Sequence, residues 1–398
     1  MNILVLNCGS SSLKYQLFNM VNESVLAKGR VERIGIPGSF LVHEASGKAE
    51  VEQKADMPDH TEAIRYVLEA LTNPEHGVVA SLDQIKAIGH RVVHGGEEFS
   101  GSVLITGEVK GALERNSDLA PLHNPPNLMG IAAAEANMPG VPNVGVFDTS
   151  FHANMPKTAF LYGLPYELYE KYRIRRYGFH GTSHRYVSER CAELIGKPLA
   201  ELKVVTAHLG NGCSLAALKD GISVDTSMGF TPLEGVMMGT RSGDFDPSII
   251  LYLMQKENLS TTEVNNLLNR QSGMLGISQS SSDMRDIEAK IEAGDELAST
   301  AWHVYEYRIR KYIGSYAAAL NGLDALVFTA GVGENDAMLR SAICKNLSFL
   351  GITLDEELNN NRRIKEKLIS LPDSQVQVFV IPTNEELIIA RDTYELVK

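Results

Sequence analysis

The 398-residue sequence is 44% hydrophobic and 22% charged, with 34 glycines and 15 prolines, a globular composition too long for one ordinary core and comfortable for two. A formal net charge of −12 argues against a nucleic-acid or anionic-membrane surface, because both need a basic stripe. Anionic substrates would then be held by local arginines against a repulsive overall field, so arginines in glycine-rich sequence become the candidates to follow.

The first apolar run, Ile3–Leu6, has no basic lead and ends early, so it predicts a buried strand and not a signal peptide. No later apolar stretch approaches the length of a membrane span, and the expected localisation is the cytoplasm. Cys8, Cys191, Cys213 and Cys344 are scattered without Cys-x-x-Cys spacing, which fits reduced thiols and offers no zinc site. After Asn7-Cys8-Gly9-Ser10-Ser11-Ser12 a second strand runs over Leu13–Phe18. His60–Leu71 has apolar residues at helical spacing, and a strand over Val144–Phe147 ends at Asp148. The boundary between halves falls near 149–155 and reads as a hinge, since no low-complexity linker is present. Thr182 is expected to cap a helix to Ile195, with Gly196 and Pro198 as stop signals. Val204–Leu209 and Ser214–Leu218 repeat the strand, glycine turn and strand of the N-terminus, which suggests two related halves. Asp295–Leu320 predicts a long amphipathic helix whose stripe, from Ala298 through Tyr305, Ile309, Tyr312 and Tyr316 to Leu320, suits core or a dimer contact. A last buried strand, Ala325–Thr329, leads into a third glycine turn, Gly331–Asn335, and a helix near Asp336. The final helix is expected to open on a capping box between Thr383 and Glu386.

The chain has no G-x-x-x-x-G-K-[ST] motif and is no P-loop protein. The Gly9–Ser12 turn, with Ser10, Ser12 and then Lys14, reads either as a serine-rich hairpin turn or as a nest of donors for phosphate oxygens. His208-Leu209-Gly210-Asn211-Gly212 repeats that choice in the second half, and Gly331-Val332-Gly333-Glu334-Asn335 at a strand end suits a nucleotide. Arg91, before paired glycines, and Arg241, in a polar glycine-rich loop, are candidate oxyanion clamps, although single arginines are commonly just solvated. Arg285 either reaches a nucleotide edge or sits on a surface turn. Asp148, His180 and His123, the last in a proline-stiffened loop, read as acid and imidazole candidates or as satisfied polar groups at element ends. Glu385 in a first helical turn suits the helix dipole unaided; with Asn7 nearby, the two oxygens would make a Mg²⁺ site alongside phosphate and water.

Nine segments in order resemble the acetokinase family across nearly the whole chain: NCGSSSLKY at 7–15, GHRVVHGG at 89–96, PLHNPPN at 121–127, VFDTSFH at 146–152, RRYGFHGTSH at 175–184, AHLGNGCS at 207–214, DTSMGFTPLEGVMMGTRSGDFDP at 225–247, TAGVGEN at 329–335 and PTNEE at 382–386. The resemblance implies an α/β, duplicated actin-like (ribonuclease H-like) fold of two domains with a cleft between them. The expected domains are 1–150, completed by a C-terminal helix over 386–398, and a nucleotide-binding domain over 151–385. By resemblance ATP or ADP is bound through Lys14, Ser10, Ser12, His208–Gly212, Asp283, Met284, Arg285 and Gly331–Asn335, and Mg²⁺ (Mn²⁺ as its alternative) through Asn7 and Glu385. Arg91 matches the carboxylate binder, and Val93, Leu122, Phe179 and Pro232 the pocket for the acyl methyl. His180 and Arg241 match the transition-state stabilisers and Asp148 the family's catalytic aspartate, with His123 a further catalytic candidate.

The reaction implied is reversible transfer of the ATP γ-phosphoryl group to acetate by direct in-line displacement, with propionate or butyrate kinase as the near alternative. An Hsp70-like or actin-like ATPase is the alternative of a different class. A carboxylate substrate is already ionised near neutrality, at a pKa of about 4, so Asp148 is expected to orient an arginine or a metal-bound water. Arg91 and Val93, two apart on one strand, are expected to share a face, and replacing Arg91 or Arg241 by alanine is expected to cost turnover with the fold intact. The expected partners are a small carboxylate and a nucleotide, without nucleic acid or membrane, in a homodimer through the second domain.

Overall fold

The computed structural model describes residues 1–121 and 123–398; Leu122, expected in the acyl pocket, lies outside the described residues. The strands are β1 (Asn2–Cys8), β2 (Ser12–Asn19), β3 (Ser24–Glu32), β4 (Phe40–Ala45), β5 (Val51–Lys54), β6 (Ile85–Val92), β7 (Val103–Leu104), β8 (Asn143–Phe147), β9 (Val204–Leu209), β10 (Cys213–Lys219), β11 (Ile222–Thr226), β12 (Ala325–Thr329), β13 (Lys367–Leu368) and β14 (Gln377–Val380). The helices that matter here are α1 (His60–Thr72), α2 (Asn124–Asn137), α3 (Gly181–Ile195), α4 (Met284–Glu292), α5 (Glu296–Leu320), α6 (Ala330–Asn335), α7 (Ala337–Lys345) and α8 (Glu385–Val397). The chain divides into two compact units, Met1–Ala153 with Asn384–Lys398, and Asn154–Thr383.

The first unit has an eight-stranded sheet in the order β5-β4-β3-β2-β1-β6-β8-β7, and the second a six-stranded sheet in the order β11-β10-β9-β12-β14-β13. The repeat predicted from two glycine turns extends to whole sheets. β1 is antiparallel to β2 and parallel to β6, as β9 is antiparallel to β10 and parallel to β12. β6 continues parallel to β8, and β12 parallel to β14, and each sheet ends on a short antiparallel strand, β7 or β13. The first unit differs by the added strands β4 and β5 at the opposite edge. Parallel central strands are covered on both faces, which is why every residue of β8, β9 and β12 is buried and most are apolar, with the polar exceptions Asn143, Thr206, His208 and Thr329.

One face of the first sheet is closed by α1, which buries Ala63, Ile64, Val67, Leu68 and Leu71 against Leu4, Leu6, Leu13 and Leu17. Each such side chain contributes about 1.5–3 kcal/mol on full burial. Asp59 fixes where α1 starts, its side chain accepting from Thr61 N (2.8 Å) and Glu62 N (3.0 Å). On β6, a Cβ at Gly89 would collide with Thr393 Oγ1 and with Ile389, so the glycine lets α8 lie directly on the strand. In the second unit α5 buries Ala298, Ala301, Tyr305, Ile309, Tyr316 and Leu320, and it packs on β9 and β10. Its stripe is therefore core of that unit, and the half-buried Tyr312 donates its hydroxyl to Asp244.

Four local expectations are corrected. The helix expected to be capped by Thr182 begins at Gly181, because His180 in the left-handed region (φ 55°) turns the chain into it one residue earlier. The capping box at Thr383 does not form: α8 starts at Glu385, so Asn384 is the cap and its side chain accepts from Leu387 N (3.2 Å). Gly331–Asn335 is not a turn. Left-handed Ala330 (φ 64°) starts α6 directly after β12, and Asp336 then caps α7 through Leu339 N (2.8 Å). Finally, β6 ends at Val92, so Val93 follows the strand that carries Arg91 instead of lying on it.

Candidate active site

In the first unit the ends of β1, β2, β6 and β8 gather most of the expected groups. Antiparallel pairing sets Asn7 opposite Lys14, which puts both side chains on one face. β6 lies between β1 and β8, and from its end Arg91 reaches to either side. Its Nε and Nη2 donate to Asp148 Oδ1 (3.1 Å) and Oδ2 (2.6 Å), and its Nη1 to Asn7 Oδ1 (3.4 Å). This two-pronged grip on a carboxylate is the strong form of a charge-assisted hydrogen bond. Burial opposes the Arg91 charge, but the carboxylates of Asp148, Glu385 and Glu386 outweigh it and hold its pKa above the ordinary value. Burial holds the Asp148 carboxyl above its ordinary value, against the pull of Arg91; Glu385 adds to the rise and His123 opposes it weakly. With both oxygens accepting from one guanidinium, the geometry is that of the anion.

The carboxylates of Asp148, Glu385 and Glu386 thus lie in the field of Arg91, and Glu386 also in that of Lys14. Lys14 makes no ion pair among the described residues. No group of three or more His, Cys, Asp or Glu side chains could cage a metal among the described residues. Asn7 and Glu385 nevertheless fit Mg²⁺ bound the way that ion usually is, by one or two protein oxygens with phosphate and water completing its octahedron. Ser10 is exposed at the hairpin tip and Ser12 opens β2; the turn is closed by Gly9 N donating to Ser12 O (2.8 Å).

Two asparagines that the sequence reading did not single out hold this edge in place. Asn127 on α2 accepts from Val93 N (3.1 Å) and donates to Cys8 O (2.9 Å), which ties the ends of β1 and β6 together. Asn124 does the same for His94, accepting from its N (3.2 Å) and donating to its O (2.9 Å). Both are buried, as is Val93, and His123 immediately precedes α2. Glu386 is the other omission, having been read only as a cap. The available signal for the asparagines was their place among the prolines of HNPPN, a first turn with few spare partners.

In the second unit, β9 and β10 place His208 opposite Ser214, and α3 brings His180 over them. The rings of His180 and His208 stack with centroids 4.2 Å apart at 20°, and His208 Nδ1 lies 2.7 Å from Ser183 Oγ. His180 Nε2 and Arg241 Nη1 converge: from the position a Cβ would take on Gly212 they are 3.5 Å and 3.7 Å away. Arg241 is half-buried, its Nη1 donates to Pro232 O (3.2 Å), and no carboxylate lies in ion-pair reach of it among the described residues. Burial lowers its pKa, yet a guanidinium stays charged in proteins. The loop that carries Pro232 and Arg241 is anchored by Arg176, whose Nη2 donates to Glu234 Oε1 (2.6 Å) and Nη1 to Ser227 O (3.1 Å). Phe179 is buried beside His180 in the chain.

The expected nucleotide segments are neighbours. A Cβ on Gly210 would stand 3.8 Å from Ala330 Cβ, at the start of α6. One on Gly239 would overlap Asn211 Oδ1 and approach Ser282 Cβ to 3.4 Å, so that glycine lets the loop after β9 meet the segment before α4. Asp283 caps α4 through Arg285 N (2.9 Å) and grips the exposed Arg285 side chain at Nε (3.0 Å) and Nη2 (2.6 Å). Met284 is buried, and Glu334 accepts from Thr383 N (3.4 Å). Burial and the neighbouring Asp336 hold the Glu288 carboxyl up to about 7, a contact that links α4 to the start of α7.

The sequence pattern of the acetokinase family matches residues 2–391. The chain belongs to the acetokinase family. It is 60% identical over 392 residues to the acetate kinase of Natranaerobius thermophilus, covering 98% of both chains, and 61% identical over 400 residues to that of Thermosipho melanesiensis, covering 100% and 98%. The crystal structure of Porphyromonas gingivalis acetate kinase superposes with a TM-score of 0.96 at 50% identity over the full length of both chains. That of a propionate kinase from Francisella tularensis superposes at 0.92 with 43% identity, again over both full lengths. Family membership accounts for the side-chain chemistry of both units, arginines and imidazoles suited to phosphoryl and carboxylate oxygens.

Proposed function

We infer that this chain is a kinase that transfers the γ-phosphoryl group of ATP to acetate, reversibly, giving acetyl phosphate and ADP. The observation that carries the reading is Arg241: a half-buried cation without a carboxylate partner among the described residues, converging with His180 Nε2 on one point over Gly212. Such a pair of preorganised donors suits charge that appears on a transferring phosphoryl group. Arg91 would hold the substrate carboxylate, oriented by Asp148, which grips it from behind. Acetate is already an anion at neutral pH, so its oxygen attacks phosphorus directly and no base is required. By the family pattern, Val93 of the first unit would contact the methyl group, and Phe179 and Pro232 are the second unit's candidates for the same role. His208–Gly212, Asp283–Arg285, Gly331–Asn335 and Lys14 would bind the nucleotide, with Ser10 and Ser12 at the phosphates and His123 tuning Asp148. Asn7 and Glu385 would hold Mg²⁺, or Mn²⁺ in its place, and the ion when bound supplies charge neutralisation on the phosphates.

We also propose a cytoplasmic homodimer through the second unit. The helix Ser248–Lys256 exposes Ile249, Leu251 and Tyr252 there. The deciding experiment traps the acyl phosphate with hydroxylamine in reactions supplied with ATP, Mg²⁺ and formate, acetate, propionate or butyrate. Hydroxamate strongest with acetate is expected. A maximum at propionate or butyrate makes the chain a kinase of that acid, and ADP release independent of any acid makes it an ATPase.

A further inference from the structure

A chain of hydrogen bonds runs inward from His180 that the reading above does not use. Ser214 Oγ lies 2.8 Å from His180 Nδ1 and 2.8 Å from His184 Nε2, and His184 Nδ1 lies 2.7 Å from Thr206 Oγ1. Ser214, His184 and Thr206 are wholly buried. The fold builds the line from simple periodicities. His184 is four residues after His180, one turn along α3 on the same face. Thr206 and His208 are two apart on β9, and Ser214 stands opposite His208 on β10, so all three point to the face that α3 covers.

The direction of this line is decided at its inner end. A hydroxyl has one hydrogen, and a neutral imidazole has one donor and one acceptor nitrogen. In one sense Thr206 donates to His184 Nδ1, His184 Nε2–H donates to Ser214, and Ser214 donates to His180 Nδ1. The proton of His180 is then on Nε2. In the reverse sense every bond turns round, and the Thr206 hydroxyl accepts from His184 with its own hydrogen left over. That hydroxyl is wholly buried and has no second partner among the described residues. Stranding a buried donor favours the first sense by roughly ten- to a hundred-fold. The Nε2–H so fixed is the edge that converges with Arg241 Nη1 over Gly212. A bare nitrogen lone pair there would face phosphoryl oxygens as one acceptor faces another. The stack on His208 fixes the plane of the ring, and the hydroxyl line fixes its proton.

We propose that Thr206, His184 and Ser214 are positioning residues that hold His180 as its Nε2–H tautomer, a hydrogen-bond donor to the transferring phosphoryl group before substrate arrives. The proposal rests on the reading of His180 as a phosphoryl-stabilising group. Its test is the solid-state ¹⁵N spectrum of full-length protein carrying ring-labelled histidine at pH 8, with the His180 signals assigned by their loss in His180→Asn. The expected spectrum has Nε2 protonated and Nδ1 bare; the opposite tautomer, or an even mixture, overturns the proposal. Thr206→Val deletes the terminal donor at constant shape. It is expected to mix the tautomers and to lower kcat about tenfold, the size typical of partners one shell out, with both KM values within twofold. Thr206→Ser is expected to restore tautomer and kcat together. A Val variant with unchanged tautomer and kcat refutes the relay; should it fail to fold, the wild-type spectrum alone decides. Acyl phosphate made by a protein with the other tautomer defeats this proposal only, whereas an Nε2–H protein that makes none defeats the function.

Discussion

Replacing Arg91 by alanine should damage the fold of the first unit as well as the chemistry. The sequence reading expected the fold to survive, on the view that Arg91 faces substrate. In the structure it also neutralises Asp148, which is 1% exposed and has no other ion-pair partner among the described residues. Removing one member of a buried pair leaves an uncompensated charge and typically costs 3–5 kcal/mol; the two-pronged contact at 2.6 and 3.1 Å favours a large loss and the partial exposure of Arg91 a smaller one, which places this pair mid-range, at about 4 kcal/mol. The loss should carry a pH signature. Burial and Glu385 hold the Asp148 carboxyl above its ordinary value even against the pull of Arg91, and without the guanidinium it rises further above the ~3.9 of an unfolded chain. The folded state then binds the extra proton. The variant is least disadvantaged below about pH 4 and loses stability as pH rises through the folded pKa. Asp148→Asn added to Arg91→Ala should recover most of the stability and none of the acyl phosphate production, a coupling that a double-mutant cycle isolates. The single tryptophan, Trp302, belongs to the second unit and cannot report this. Hydrogen exchange in peptides covering β6 and β8, at pH 5 and 7, is the suitable assay. Exchange in Arg91→Ala within about 0.5 kcal/mol of wild type, or a double variant no more protected than the single one, refutes the reasoning.

Glu385→Ala should raise the Mg²⁺ concentration needed for half-maximal activity, whereas Asn384→Ala should leave the Mg²⁺ titration alone and cost about 1 kcal/mol of helix-cap stability; identical titrations for the two would erase the distinction. Val93→Ala should shift kcat/KM toward propionate relative to acetate by no more than a methylene is worth, about 1–3 kcal/mol, and an unchanged ratio in a folded variant removes Val93 from the pocket wall. Burial holds His90 down to about 4, below the ~6.5 of an unfolded histidine, so the unfolded chain binds more protons between those values. Stability from this group is complete above about pH 6.5 and falls by up to about 3 kcal/mol towards pH 4. His90→Gln, which keeps a donor for Asn143 Oδ1, should flatten that slope as followed by urea denaturation.

Properties written in short range along the chain were legible without coordinates. Largely apolar runs without polar alternation marked β9 and β12 because strands buried on both faces do not alternate, and glycine turns after β1 and β9 marked the repeat that both sheets carry. Strand-end positions likewise picked out Arg91, Asp148 and His208 as candidates. What a side chain touches across many residues was not legible. Arg91 meets Asp148 over 57 positions and Asn127 meets Cys8 over 119, and no local pattern encodes either, because register between strands and helix placement fix those contacts. Backbone at single residues escaped as well. The left-handed turns at His180 and Ala330 set where α3 and α6 begin; histidine tolerates that conformation better than alanine, but neither adopts it by default, so packing around it must hold it there. Sequence therefore determined the periodic elements, the repeat and the chemistry present. Tertiary structure decided which charges neutralise one another and, through one buried threonine hydroxyl, which nitrogen of His180 carries its proton, since both depend on what low-dielectric surroundings leave unpaired.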